Sequence, residues 1–171
     1  MQLGHFAVAL AISSYAPELT GGHMNAFSLE SIAVALISHE LPNLDAIPVW
    51  LKWVKPSFHC TWSHSLIFAL LVGLILLPFN PGWAIISFVS LIIHFFADLP
   101  SSVGLPLFLP FTRKRYSLKL WADTGYFDVR NNFGWETFKG SYVQAWPWIL
   151  EGGAYLFLFV RAYQKAVWPF V

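Results

Sequence analysis

The chain has 171 residues, a formal net charge of +1, and 57% hydrophobic but only 11% charged residues. Soluble domains carry about 25% charged residues, so the composition excludes a disordered chain, a nucleic-acid-binding arm and an ordinary cytosolic enzyme, and indicates one membrane domain spanning residues 1–171. Cys60 is the single cysteine, which removes an intrachain disulfide framework and a cysteine-rich zinc ribbon.

Five helices are predicted. The first runs from Leu3 to Tyr15, and Pro17 with Gly21-Gly22 ends it. No Lys or Arg precedes this apolar run and no small-residue cleavage site follows, so it reads as a retained helix and not as a signal peptide. The second covers Ser28 to Leu41 and stops at Pro42. The third covers Trp62 to Leu77, closed by Pro78 and the turn Asn80-Pro81-Gly82. The fourth covers Trp83 to Leu99, before Pro100, and the fifth Tyr142 to Tyr163. Between the last two, residues 100–141 read as a long, turn-rich surface segment. A straight span needs roughly 20 apolar residues; only the fifth helix clearly reaches that, and the second carries Glu30, His39 and Glu40. The fold class is therefore an all-α integral membrane bundle of four to five transmembrane or partly inserted helices.

If all five helices cross, the loops alternate between two faces. One face collects Lys52, Lys55, Arg113, Lys114, Arg115, Lys119, Arg130 and Lys139; the other has Arg161 and Lys165. The positive-inside rule makes the first face cytoplasmic. Tryptophans mark the same boundaries: Trp50, Trp53, Trp62, Trp146 and Trp148 on the first face, Trp83 and Trp168 on the second. Onto the cytoplasmic face also fall His5, His39, Glu40, Asp45, His59, His64, His94 and Asp98; of the histidines only His23 lies elsewhere. Hydrophobicity and turns set this alternation without reference to histidine, so the convergence is informative.

His94 and Asp98 stand one helical turn apart and share a helix face. A neutral imidazole beside a carboxylate suits zinc, with manganese or iron as other choices. His64 and Asp45 converge on them, and His5 can complete the set from the first helix. The competing reading is a buried structural His–Asp pair. Intramembrane ionisable groups are costly, which favours a functional reading. His39 and His59 carry weaker signals, Cys60 reads as a passive thiol, and Ser63 and Ser65 as groups that cap the third helix or orient His64. Glu151 reads as a proton-handling or helix-pairing residue. The Arg113-Lys114-Arg115 run suits anionic headgroups, or the attraction of an anionic substrate to the site.

These pieces resemble a bacterial family of membrane-bound, predicted metal-dependent hydrolases that includes the LexA-regulated inner-membrane proteins and is distantly similar to zinc-dependent phospholipase C. The matching residues are Gly4-His5, Leu41-Pro42-Asn43-Leu44-Asp45, Trp62-Ser63-His64-Ser65, His94-Phe95-Phe96-Ala97-Asp98, Gly104-Leu105-Pro106-Leu107 and Pro110, in the family's order. The resemblance implies metal ligation by His5, Asp45, His64, His94 and Asp98, with His59 matching a further family histidine, and a location in the bacterial inner membrane. Two departures stand out. Asn43 replaces the first acid of the family's Pro-Asp-x-Asp, and Cys60-Thr61 replaces its Arg-Gly.

The leading expectation is a membrane-embedded hydrolase whose divalent metal, zinc by preference, is held by His64, His94 and Asp98, with Asp45 and His5 as further ligands or supports. A metal-activated water attacks an ester or phosphoester, with Asp45 or His59 as general base. The headgroup-level position suggests membrane lipids as partners and a lipid-linked substrate, with no nucleic acid. One alternative is a non-catalytic membrane protein, a metal or proton transporter or structural subunit, using the same cluster. Another is a haem anchor with two axial histidines, which the adjacent carboxylates disfavour.

Overall fold

Side-chain caps and prolines divide the apolar chain into helices. The computed structural model describes residues 2–120 and 142–167. In order these are α1 (Gln2–Ser14), α2 (Ala16–Thr20), α3 (Leu29–Glu40), α4 (Ala46–Trp50), α5 (Leu66–Leu76), α6 (Pro81–Asp98) and α7 (Ala145–Val167), with 3-10 turns at Leu41–Asp45, Pro56–Phe58 and Trp62–His64. No strand occurs among the described residues. A lone antiparallel bridge joins Leu105 and Tyr116.

Ser28 caps α3 by accepting from the Ser31 N–H at 3.1 Å. Asn80 caps α6 through Oδ1, which accepts from Gly82 N–H at 2.8 Å and Trp83 N–H at 3.3 Å. Pro81 then takes the first helical position, where its missing N–H costs nothing. The sequence places the turn at Asn80-Pro81-Gly82, but these residues open the helix, so α6 begins two residues before the predicted Trp83. Pro17 and Pro42 likewise do not stop the chain's winding. Each stands in the first turn of a new helical piece, α2 and the 3-10 turn at Leu41–Asp45. The predicted third helix is broken at Ser65, whose extended backbone (φ −113°, ψ 151°) separates the turn at Trp62–His64 from α5 and caps the latter.

The helices alternate in direction. His5 near the start of α1, His39 at the end of α3, His64 just before α5 and Asp98 at the end of α6 meet at one end of the bundle. α7 runs parallel to α1. Tyr142, ahead of α7, accepts from Leu3 N–H at 3.2 Å, while Arg161 near its other end pairs with Glu18 beyond α1. This is the arrangement expected from alternating loops.

Small and polar side chains share the interior with Met24, Ile86, Leu91, Phe95 and Leu105. Ala7, Ala9, Ala16, Ala35 and Ala69 are wholly buried, as are Ser13, Ser14, Ser31, Ser87 and Ser90. Ser38 Oγ donates to Ser87 Oγ at 2.7 Å across α3 and α6. On the perimeter, Leu70, Leu71, Leu74 and Ile75 on α5 and Leu156, Phe159 and Val160 on α7 face outward. Close packing of one turn against α6 depends on Gly82, where an added Cβ would come within 2.9 Å of Met24 Cγ.

Only α6, among the described helices, is long and apolar enough to cross a membrane, with a mean hydropathy of 1.5. The apolar stretches Leu3–Ser14 and Leu66–Leu76 are shorter. Eleven residues of α5 reach roughly 17 Å, about half of a ~30 Å hydrocarbon core. The break at Ser65 accounts for that shortening, while α1 gives way at Tyr15 (φ −98°, ψ 9°) to the short α2.

The stretch after α6 is not all surface. Val103 and Leu105 are buried against Cys60, Leu91 and Phe95, and Leu66 N–H donates to Leu107 carbonyl at 2.8 Å, which anchors the segment to the start of α5. Its apolar residues explain the difference from the expected surface segment. The remainder of that segment, with Arg130 and Lys139, lies outside the described residues, as does Trp168.

Candidate metal centre

Helix phase places the cluster. Counting from the Asn80 cap, His94 and Asp98 fall in the last turn of α6, and His94 Nε2 lies 3.2 Å from Asp98 Oδ2. His64 enters from the turn before α5, its Nε2 3.4 Å from His94 Nε2 and 3.8 Å from Asp98 Oδ2. His5 approaches Asp98 from α1, with Nε2 3.1 Å from Oδ1. Its Nδ1 lies 2.8 Å from His39 Nε2. His5, His39, His64 and His94 are all buried. Two overlapping donor groups result, His64/His94/Asp98 and His5/His39/His94, each with ligand atoms within 4.8 Å of one another.

Proton accounting tests whether a cation fits. His39 Nδ1 faces the Ser90 carbonyl at 3.0 Å and must donate to it. A neutral His39 then offers a lone pair at Nε2, which His5 Nδ1–H fills. That leaves the Nε2 lone pair of a neutral His5 pointing at the Asp98 carboxylate. Across the site, His64 Nδ1 faces Ser63 Oγ at 2.9 Å and Asp45 Oδ2 at 3.5 Å. With its proton there, its Nε2 lone pair faces His94 Nε2 and Asp98. His94 Nδ1 is buried and has no hydrogen-bond partner among the described residues. Lone pairs converging on a carboxylate need a cation, either extra protons or a metal. The donor set of imidazoles and one carboxylate fits zinc, manganese or iron.

Asp45 stands on the outer side of His64. It pairs with His59 Nδ1 and Ser63 Oγ and accepts from the Cys60 N–H at 3.1 Å. The sequence groups it with His64, His94 and Asp98 as a further ligand or a support. The structure brings it to the other nitrogen of His64, where a carboxylate orients the ring and raises its basicity. Burial would raise the Asp45 carboxyl, but hydrogen bonds from His59 and His64 outweigh it and hold the group well below the usual range. Burial would lower His59; the Asp45 carboxylate and the neighbouring Cys60 outweigh that and raise it to about 9. His64 is raised too, against its burial, by its neighbours Cys60, Asp45 and Asp98.

Two residues play a larger part than the sequence suggests. His39 is fully buried and bonded on both ring nitrogens. Its place at the end of α3 on the histidine-rich face is the signal available. Cys60 is no bystander: its Sγ lies 3.8 Å from His64 Nε2, and its backbone takes a left-handed φ of 54°. His23 is exposed, as expected. Glu151 is buried and accepts from the Tyr142 hydroxyl.

No curated protein and no solved structure matches the chain significantly. A family profile described as YdjM inner membrane protein matches residues 1–166, which supports a bacterial inner-membrane location. By that match the chain belongs to the YdjM inner membrane protein family.

Proposed function

We propose that the protein is a membrane-embedded, metal-dependent hydrolase of an ester or phosphoester, with its centre at the cytoplasmic end of the bundle. The observation that carries the reading is the convergence of His64 Nε2, His94 Nε2 and Asp98 Oδ2, within 3.2–3.8 Å of one another. The large apolar side chains turned outward on α5 and α7, around an interior rich in Ala and Ser, support insertion of the bundle in lipid. The cation-rich loops at the site end support the cytoplasmic assignment, and the resemblance noted from the sequence supports hydrolysis.

His64, His94 and Asp98 would hold one divalent ion, with His5 and His39 beside it. Bound there, such an ion supplies Lewis acidity toward a water and an ester oxygen. Asp45 orients His64 through Nδ1. The pairing of Asp45 with His59 changes the roles expected for them. A strongly acidic Asp45 is a poor base, and His59, raised to about 9, is protonated at neutral pH. His59 is therefore suited to donate a proton to a leaving group and less suited to act as general base.

Transit of an ion through the bundle is the weaker reading. Toward the far end the interior offers Ser13, Ser14 and Ser31 in place of a continued chain of carboxylates and imidazoles. The test is turnover of a chromogenic phosphoester and a carboxylic ester by purified protein, metal-loaded and chelator-stripped. Metal-dependent turnover that disappears in His64→Ala supports hydrolysis. Full metal occupancy without turnover of either class, lipid-linked esters included, contradicts it.

A further inference from the structure

The loop that carries His59 and His64 also walls a cavity of about 660 Å³, bounded by Lys55, Phe58, Trp62, Leu109, Arg113 and Arg115. We infer that this cavity seats the headgroup of a phosphate-bearing amphiphile, which is the substrate class of the hydrolytic centre proposed above and rests on that reading.

Charge is the first argument. Two guanidinium groups and an ammonium border the cavity, and no carboxylate lines it among the described residues. Guanidinium forks match phosphate oxygens two at a time. Arg115 is held in place: its Nη1 donates to the Gly104 carbonyl at 3.0 Å. The Leu105–Tyr116 bridge fixes the backbone beside it. Gly104 has φ +70°, and a Cβ there would meet Arg115 Cβ and the Tyr116 carbonyl at 3.2 Å, so glycine is what allows this approach. Lys114 does not share the task; its Nζ lies 5.4 Å above the Tyr116 ring and it does not line the cavity.

Apolar chemistry is the second. Phe58, Trp62 and Leu109 line the same space as the cations. Trp62 is 57% exposed and nearby Phe111 87% exposed. A free phosphate ion has no use for these walls. An amphiphile uses both, its phosphate on the arginines and its first chain carbons on the rings. The volume lies within the roughly 300–1,000 Å³ of ordinary ligand sites. Position is the third. Thr61 and Trp62 line the cavity and directly precede Ser63 and His64, so one short stretch of chain carries both the cavity wall and a candidate metal ligand.

The test is binding to the full-length protein in detergent, read by native mass spectrometry. Phosphatidic acid, diacylglycerol with the same chains, and inorganic phosphate are the probes. Phosphatidic acid should bind at least tenfold tighter than diacylglycerol, and equal concentrations of inorganic phosphate should not displace it. The Arg113→Gln/Arg115→Gln variant should lose at least tenfold in phosphatidic acid affinity and keep its metal content. Equal affinity for the two lipids, or an unchanged double variant, overturns the inference; displacement by inorganic phosphate overturns it in favour of a free-phosphate site. Lys55→Gln, on a separate loop, provides a second variant if the first does not fold: a several-fold loss supports the seat and an unchanged affinity contradicts it. Tight, cation-dependent binding without cleavage refutes hydrolysis alone, whereas cleavage indifferent to these cations refutes the seat alone.

Discussion

The two ends of the bundle handle charge differently. At one end, Glu18 pairs with Arg161 and with Lys165 at 3.0 Å, and the Arg161 guanidinium lies 3.9 Å from the centre of the Tyr15 ring. Opposite charges meet there, partly in solvent, with one carboxylate between two cations. At the other end, His5, His64 and His94 crowd around Asp98, and His39 stands behind His5. That set is balanced only by an added cation. An ion pair tying α7 to α2 accounts for the first end. The second needs either extra protons or a metal ion to balance its proton count.

Substitutions can break this contrast, and the largest effects belong to the atoms that face the shared space. His64→Ala should leave the protein without measurable metal after dialysis, read by elemental analysis against total protein. Retention near the wild-type level would show that His64 is structural. Asp45→Asn should act through His64 and lower metal affinity by roughly 10–100-fold without abolishing it; a chelator-competition titration measures this. Complete loss would make Asp45 a direct ligand, and no change would remove it from the centre.

The third effect is a pH dependence. His59 has a folded-state pKa of about 9, above the ordinary 6.5. Its contribution to stability is therefore complete below pH 6.5 and is lost as pH rises through about 9. Metal-free protein in detergent should melt at progressively lower temperature across that window, and His59→Gln should flatten the slope. A melting curve that is level across the window in the wild type would contradict the Asp45–His59 ion pair. The smallest effect is at the far end. Glu18→Gln should cost at most about 1 kcal/mol and leave metal content unchanged, as a denaturation titration and elemental analysis would show together.

Much of the architecture was legible in the chain. Apolar runs and prolines mark all five main helices, and the alternation they impose brings His5, His39, His64, His94 and Asp98 to one end. Boundaries were less legible because proline has two meanings: Pro81 opens a helix where a stop is also plausible, and only the Asn80 cap geometry decides. The inward turn of Val103 and Leu105 was hidden for a similar reason, since short apolar stretches among turn residues carry no periodicity. Spacing along α6 makes the His94–Asp98 pair readable. The role of Asp45 was not, because its position on the outer nitrogen of His64 depends on how the turns at Leu41–Asp45 and Trp62–His64 pack together. His39 and Cys60 were undervalued because nothing local distinguishes a bonded histidine or a thiol beside an imidazole from a passive one.

The most direct test of the central claim is elemental analysis of the detergent-purified protein beside the His94→Ala/Asp98→Ala variant, after exposure of both to zinc, manganese and iron in turn. The account predicts about one or two equivalents of a divalent metal in the wild type and none in the variant. Absence of metal from the wild type under every condition, or equal content in the variant, would contradict it and leave the cluster a proton-bridged structural core.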